Sequence, residues 1–393
     1  MSALPAGTSD FYDLEGLLPE DDRALIRRVR AFMDEQVEPI INEYWTRAQF
    51  PRQVIPEMAK LGIAGAQYSG FGCPGLSALT DGMIAMELSR GDPSVATFMG
   101  VHGGLAMGSI QLCGSEEQKE RWLPAMARME LIGAFGLTEP ATGSAIAGGL
   151  ATSARRDGDG WVLNGEKKWI GNADFADLVV IWARDEEDGE VKGFVVEKDT
   201  PGMTCDVQRD KIALRVVQNS EIHLRDVHVP ETHRLREGRG FSDTAKVLRV
   251  TRMGVAWQAV GCARGAYEHA LRYTKAREQF GKPIASFQLV QDLLVKMLSN
   301  VTAATAMNVR ASQLQDAGLL RDEHASLCKV HSTVRMRETV GWAREVLGGN
   351  GILLEHHVGR FVADAEAIYS YEGTREMNTL IVGRAITGES AFV

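Results

Sequence analysis

Cysteine is scarce, with five in 393 residues: Cys73, Cys113, Cys205, Cys262 and Cys328. The number is odd and none forms a C-x-x-C pair, so no disulfide framework is expected and the thiols read as reduced. The nine histidines include no H-E-x-x-H spacing, and no metal site is expected. No apolar run is long enough to span a bilayer. Basic charge is in deficit: 43 Lys and Arg stand against 52 Asp and Glu, a net charge of -9. That disfavours nucleic acid as a partner, because phosphate binding needs clustered cations. An anionic cofactor remains possible, since local basic groups and helix N-termini bind phosphate on acidic proteins. Six acids and no base lie between Asp10 and Asp22, the reverse of a mitochondrial transit peptide. Ala391-Phe392-Val393 is not a peroxisomal signal, so the expected compartment is cytoplasmic. Also missing are a G-x-G-x-x-G following a strand, a P-loop and a G-x-S-x-G elbow.

What is present is ordinary globular composition, 45% apolar and 24% charged, in a chain long enough for two or three domains. The first third reads as helical, from Pro19 onward, then Asp81 to Leu88 and Pro93 to Leu112. Ser115-Glu116-Glu117-Gln118 looks like a capping box. The pattern changes near Leu131. Trp161 to Leu163 and Lys168 to Ile170 flank Asn164-Gly165, a hairpin dipeptide. Ala176 to Ala183, Gly193 to Val196 and the alternating stretch Glu221 to Val229 read as strands. After Phe241 helical spacing returns over Thr244 to Lys275, Ser286 to Gln315, Asp322 to Leu347 and Thr374 to Ile386. Long helices with short connectors suggest an antiparallel four-helix bundle.

Five clusters carry polar, aromatic and glycine residues together. Phe135 to Ser144 ends a strand in a loop rich in hydroxyls and glycine, a shape that presents N–H groups to an anion or a cofactor edge; it is also a plain surface turn. Lys167-Lys168-Trp169-Ile170-Gly171-Asn172 offers a ring for stacking, although a lone Trp is more often core. Arg277 to Pro283 suits a phosphate or an adenine face, or is a helix C-cap. Gly348-Gly349-Asn350-Gly351 permits close backbone approach, or simply stops a helix. Tyr371-Glu372-Gly373-Thr374 places a carboxylate before an apolar helix. Burial would raise its pKa into the range of a usable base; on local pattern alone an acid complementing the helix dipole is the plainer explanation.

In their order and separations these clusters resemble the signatures of the acyl-CoA dehydrogenase family, over nearly the whole chain. Leu137-Thr138-Glu139-Pro140 with Gly143-Ser144 resembles the first signature and Arg277 with Gln279-Phe280-Gly281 the second. The glycine run and Tyr371 to Thr374 resemble the last two. Within the family the chain is most similar to glutaryl-CoA dehydrogenases and plant short-chain acyl-CoA oxidases. The resemblance implies an α+β protein: an N-terminal α-helical domain (1–134), a central β barrel (135–242) and a C-terminal four-helix bundle (243–393), assembled as a homotetramer. It implies FAD as cofactor. Phe135, Leu137, Thr138, Gly143 and Ser144 would line the flavin and its ribityl chain, with Trp169 and Gly171 flanking the ring. Arg277, Phe280, Gln288 and Gly349 would reach the FAD of a neighbouring subunit, and Thr374 and Glu376 its phosphate-ribose side. Ser144, Arg252, Tyr371 and Gly373 would border an acyl-CoA thioester. Glu372 would be the base, its backbone N–H and a ribityl hydroxyl polarising the thioester carbonyl while a hydride passes to the flavin. The product would be a trans-2-enoyl-CoA, and an electron-transferring flavoprotein the acceptor. Some branches carry the base on a bundle helix; the matching Thr251 cannot serve.

Two positions depart from the pattern. The arginine that holds the distal carboxylate in glutaryl-CoA dehydrogenases aligns near Ala96, and Pro93 to Leu112 contains no Lys or Arg. A second carboxylate would meet Val95, Thr97, Phe98 and Val101, an unfavourable burial, with His102 as a weak substitute. An uncharged, short or branched acyl chain is therefore expected, with glutaryl-CoA as the alternative. Gly171 stands where many dehydrogenases carry Thr, which is expected to open space beside the flavin and keeps a short-chain oxidase as a further alternative. A non-catalytic flavoprotein that binds nucleic acid is the alternative of another class; the acidic balance and the intact Glu372 oppose it.

Overall fold

The computed structural model describes residues 9–392. Helices form both ends and a seven-stranded sheet the middle. The helix Glu20–Phe32 opens with three acids in its first turn, where they complement the dipole. Ser77 caps Ala78–Gly91, its hydroxyl accepting from the Thr80 N–H. Almost every residue of that helix is buried, because it packs against the bundle helix Phe241–Ala276. The expected helix over 93–112 is one rod with a widened middle: Pro93–Met99, a π-helical turn Gly100–Ala106, then Met107–Cys113. Three glycines in that turn remove the side chains that would resist the wider winding. The capping box at Ser115 forms, with both reciprocal bonds to Gln118 present.

The sheet strands are β1 (Gly133–Gly136), β2 (Ser153–Asp157), β3 (Gly160–Ile170), β4 (Leu178–Asp185), β5 (Val191–Glu197), β6 (Met203–Val207) and β7 (Ser220–Pro230). Their order is β1-β4-β2-β3-β7-β6, with β5 also pairing β4. β1 runs parallel to β4 and most other pairs are antiparallel. The curled sheet has its own core, in which Trp161, Leu163, Ile181, Phe194, Ile222 and Val229 meet.

The Asn164-Gly165 hairpin is not there. Those residues lie inside the continuous strand β3, at an irregularity in its pairing with β7. The turn falls earlier, between Asp157 and Gly160. Asn164 instead bonds across the sheet, accepting from the Asp226 N–H at 2.8 Å and donating to its carboxylate at 3.1 Å. Gly165 is needed for approach rather than for turning: a Cβ there would stand 2.7 Å from the Cα of Thr152.

The C-terminal region holds Phe241–Ala276, Gln288–Asp316, Asp322–Val346 and Arg375–Thr387, near their expected places, and one helix more, Val358–Ser370. That helix is hard to read because it starts at His357, a non-glycine residue with φ 62°. Its buried stripe also mixes Arg360 and Asp364 with Phe361 and Ile368. Arg360 pairs with Asp92 and bonds Asn42, so buried charge ties this helix to the N-terminal region. One apolar core joins the N-terminal helices to the bundle. No helix among the described residues is long and apolar enough to cross a membrane, and all five cysteines are free.

Candidate active site

A cavity of about 1430 Å³ opens where the sheet meets the helical regions. The sheet side contributes Phe135, Leu137, Thr138, Gly143, Ser144, Trp169 and Gly171. The bundle side contributes Thr251, Arg252, Tyr371, Glu372, Gly373 and Thr374, and the N-terminal region Thr97 and Val101. Most of the residues singled out in the sequence thus share one space. Arg277, Phe280, Gln288, Gly349 and Glu376 do not line it. All five are exposed, Phe280 by 92%, and Glu376 pairs with Arg375.

Glu372 sits on the short connector between two helices, with φ 55° followed by Gly373 at φ 78°. A left-handed glutamate is strained and persists only where its surroundings hold it. They do. The Lys329 ammonium donates to the carbonyl of Tyr371 at 2.5 Å, to that of Tyr369 at 3.4 Å, and also to that of Gly373. Asn378 donates to the Gly373 carbonyl from the other side at 2.8 Å, and the Tyr371 hydroxyl bonds Gln258. Lys329 is fully buried, and burial lowers its pKa to about 8, Glu372 opposing. Sequence reading missed it. The available signal was a lysine on the buried stripe of Asp322–Val346, among Ala325, Cys328, Ser332 and Met336.

The Glu372 carboxylate accepts from the Thr251 hydroxyl at 3.1 Å. Burial raises its pKa; Arg252, the Thr251 bond and Lys329 pull it down, and burial wins. Glu372 is partly buried and lines the cavity. Arg252 is mostly buried, with its Nε unpartnered and one Nη 3.4 Å from Ser326.

The glycine- and hydroxyl-rich loop is held by a pair that spacing did not reveal. Lys167, fully buried, donates to Glu139 at 2.8 Å and to the Leu137 carbonyl at 3.0 Å. Glu139 in turn accepts from the N–H groups of Ala151 and Thr152. The Lys168 N–H donates to the Thr138 carbonyl, which ties this loop to the Trp169 turn. Trp169 and Asn172 both have positive φ, and Asn172 anchors the turn to the Phe98 carbonyl.

Two expectations are corrected. His102 cannot take a substrate carboxylate: it is fully buried, Nδ1 accepts from the Gly133 N–H, and Nε2 faces the Met126 carbonyl. Burial lowers its pKa to about 4, so it is neutral. The space at Gly171 is not open either; a Cβ there would meet Val101 at 3.2 Å and Val217 at 3.5 Å. Of the four residues expected around a second carboxylate, only Thr97 and Val101 line the cavity; Val95 and Phe98 face the core.

A flavin nucleotide fits what is present: room for a large ligand, aromatic rings at Phe135 and Trp169, and hydroxyls at Thr138 and Ser144. Elsewhere Glu38, His269 and His357 cluster at the N-terminal–bundle junction. Arg272 approaches Glu38, and His357 Nδ1 already faces Arg360.

Comparison with known proteins agrees along the chain. The N-terminal, middle and C-terminal domain models of acyl-CoA dehydrogenases match residues 19–130, 134–227 and 238–387. A glutaryl-CoA dehydrogenase of Mycobacterium smegmatis, solved in complex with FADH2, is 37% identical with a TM-score of 0.94, covering 97% of this chain and 98% of that one. The 3-(aryl)acrylate reductase of Clostridium sporogenes is 33% identical over 92% of this chain and 97% of its own length. The bovine mitochondrial short-chain specific acyl-CoA dehydrogenase is 33% identical over 93% and 90%.

Proposed function

This chain belongs to the acyl-CoA dehydrogenase family of FAD-dependent oxidoreductases, and we propose that it dehydrogenates a short or branched, uncharged acyl-CoA to the trans-2-enoyl-CoA with Glu372 as base. The observation that carries this reading is a buried carboxylate of raised pKa, fixed in a left-handed backbone and facing a cavity shared with the flavin-motif residues.

FAD, when bound, supplies the acceptor for the hydride that leaves the β-carbon. The residues do the rest. Phe135, Leu137, Thr138, Gly143, Ser144, Trp169, Gly171 and Thr374 would hold the flavin nucleotide. Ser144, Arg252, Tyr371 and Gly373 border the thioester. The Glu372 N–H donates to the thioester carbonyl, where a preorganised donor is worth roughly 3 kcal/mol. The Glu372 carboxylate removes the α-proton, a role that contributes about 10²–10⁴-fold. Arg277, Phe280, Gln288, Gly349 and Glu376 act across a homotetramer interface, consistent with their exposure in the single chain. An electron-transferring flavoprotein is the acceptor.

The uncharged acyl chain follows from charge. Among the described residues lining the cavity the cations are Lys211, Arg252 and Arg384. Lys211 is taken by Leu214, Val217 and Asn219, Arg252 balances Glu372, and Arg384 is exposed in the last turn of Arg375–Thr387. The likeness to a glutaryl-CoA dehydrogenase favours glutaryl-CoA as the second reading. Anaerobic mixing of the yellow protein with butyryl-, isobutyryl- and glutaryl-CoA decides: bleaching by the first two and not the third is expected. Bleaching by glutaryl-CoA alone overturns the uncharged assignment, and rapid peroxide release in air would identify an oxidase.

A further inference from the structure

The cavity continues beyond Glu372. Its wall can be followed by contacts. Thr251 bonds Glu372 at 3.1 Å. The methyl of Thr251 lies 3.4 Å from where a Cβ of Gly104 would stand. The carbonyl of Gly104 accepts from the Tyr68 hydroxyl at 3.0 Å, and the charge of Asp81 acts on that phenol. Small residues keep this passage open: Ala96, Gly100 and Gly104 line it.

Its far end is apolar, with Ile84 and Leu88, apart from Gln67, Tyr68 and Asp81. Two of those polar groups are engaged. Tyr68 donates to Gly104, and Gln67 accepts from Gln315 at 3.0 Å. Asp81 is different. Among the described residues its carboxylate has no hydrogen-bond or ion-pair partner, although the residue is partly buried. Asp81 is one of the residues that line the cavity. Burial alone raises its pKa to about 6, so it is ionised at neutral pH. Its place in the first turn of Ala78–Gly91 explains an acid there by the helix dipole. The dipole does not explain a carboxylate turned into an apolar pocket, where an unpaired charge is costly.

We infer that Asp81 is a specificity determinant, accepting a hydrogen bond from a donor group, a hydroxyl or an amine, at the far end of the substrate's acyl chain. This rests on the reading of the cavity as an acyl-CoA site. It replaces the uncharged acyl class by chains that end in a donor, a neutral hydroxyl or a cationic amine, and adds a reason against an acidic terminus, since two carboxylates would face each other.

The test compares ω-hydroxyacyl- and ω-aminoacyl-CoAs with unsubstituted acyl-CoAs of the same length, over short and medium chains. The readout is the anaerobic bleaching rate of the holoenzyme at low substrate, which gives kcat/KM. At one length a donor-bearing chain should exceed its plain counterpart by about ten-fold or more, as for sites built around a substrate OH or NH. In Asp81→Leu that ratio should fall to near one. Asp81→Asn preserves shape and should lose the preference for the amine. A ratio near one at every length in the wild type, or an unchanged ratio in Asp81→Leu, overturns the inference while leaving the dehydrogenase reading intact. Bleaching by no acyl-CoA at all defeats the reading and the inference together.

Discussion

Two of the acidic residues that line the cavity, Glu372 and Asp81, are treated oppositely. Glu372 is surrounded by compensation: the Thr251 hydroxyl, the Arg252 and Lys329 charges, and carbonyls pinned on both sides of it. Asp81 has none of this. Burial raises both pKa values, so burial alone does not distinguish a base from a recognition group. The difference lies in the backbone. Glu372 rides on a strained connector that needs external support, whereas Asp81 sits in a regular helix that positions it without help.

The comparison can be broken most sharply at Glu372. Glu372→Gln keeps the shape and removes the base, and the anaerobic bleaching rate should fall by about 10²–10⁴-fold. Flavin content should be unchanged. A variant bleaching at the wild-type rate would remove Glu372 from the mechanism.

Lys329→Met tests the support. The carbonyls of Tyr369 and Tyr371 lose the Lys329 donor and that of Gly373 keeps only Asn378, and misplacing a reacting group by an ångström costs about 10²-fold. The expected result is a loss of that order in kcat with KM less affected. A normal kcat in a folded Lys329→Met protein would show that the connector holds its own conformation.

Asp81→Asn should act in the opposite direction on stability. The folded-state pKa, about 6, lies above the ordinary 3.8, so the folded state binds the proton more tightly than the unfolded state. Ionisation therefore destabilises the fold: the loss is absent below 3.8, grows through this interval and is complete above about 6. Removing the charge should raise stability at neutral pH by up to about 3 kcal/mol, and the gain should shrink on acidification. Denaturant melts at two pH values measure it; a gain independent of pH would contradict the assignment.

The smallest effect is expected for Thr251→Val. The hydroxyl bond lowers the Glu372 pKa, so its loss should raise that pKa further and move the acid limb of kcat to higher pH. The limb itself should already lie above the ordinary 4.5 of a glutamate, because the base works only when deprotonated. A net contribution of about 1 kcal/mol for such a bond corresponds to a rate change of only several-fold.

Much of this was legible in the sequence. The helices with clear periodicity, the capping box at Ser115 and the alternating strand ending at Pro230 were read from local pattern, and the structure has each of them. The cavity residues were found through family resemblance, because each cluster alone has a plainer explanation. Local pattern failed where long-range contacts decide. Asn164-Gly165 has turn chemistry, but Thr152 and Asp226 use it inside a strand. His102 looks available until Gly133 and Met126 occupy both its nitrogens. The roles of Lys329, Lys167 and Asp81 were not read for the same reason: they depend on residues that lie far away in the chain.

The central claim is that Glu372 moves the α-proton. It is tested most directly by incubating the holoenzyme in D2O with a thioester that binds but cannot be oxidised, and following α-hydrogen exchange by mass spectrometry. The account predicts exchange in the wild type and its near-abolition in Glu372→Gln at equal ligand occupancy. Exchange at the wild-type rate in that variant would contradict it.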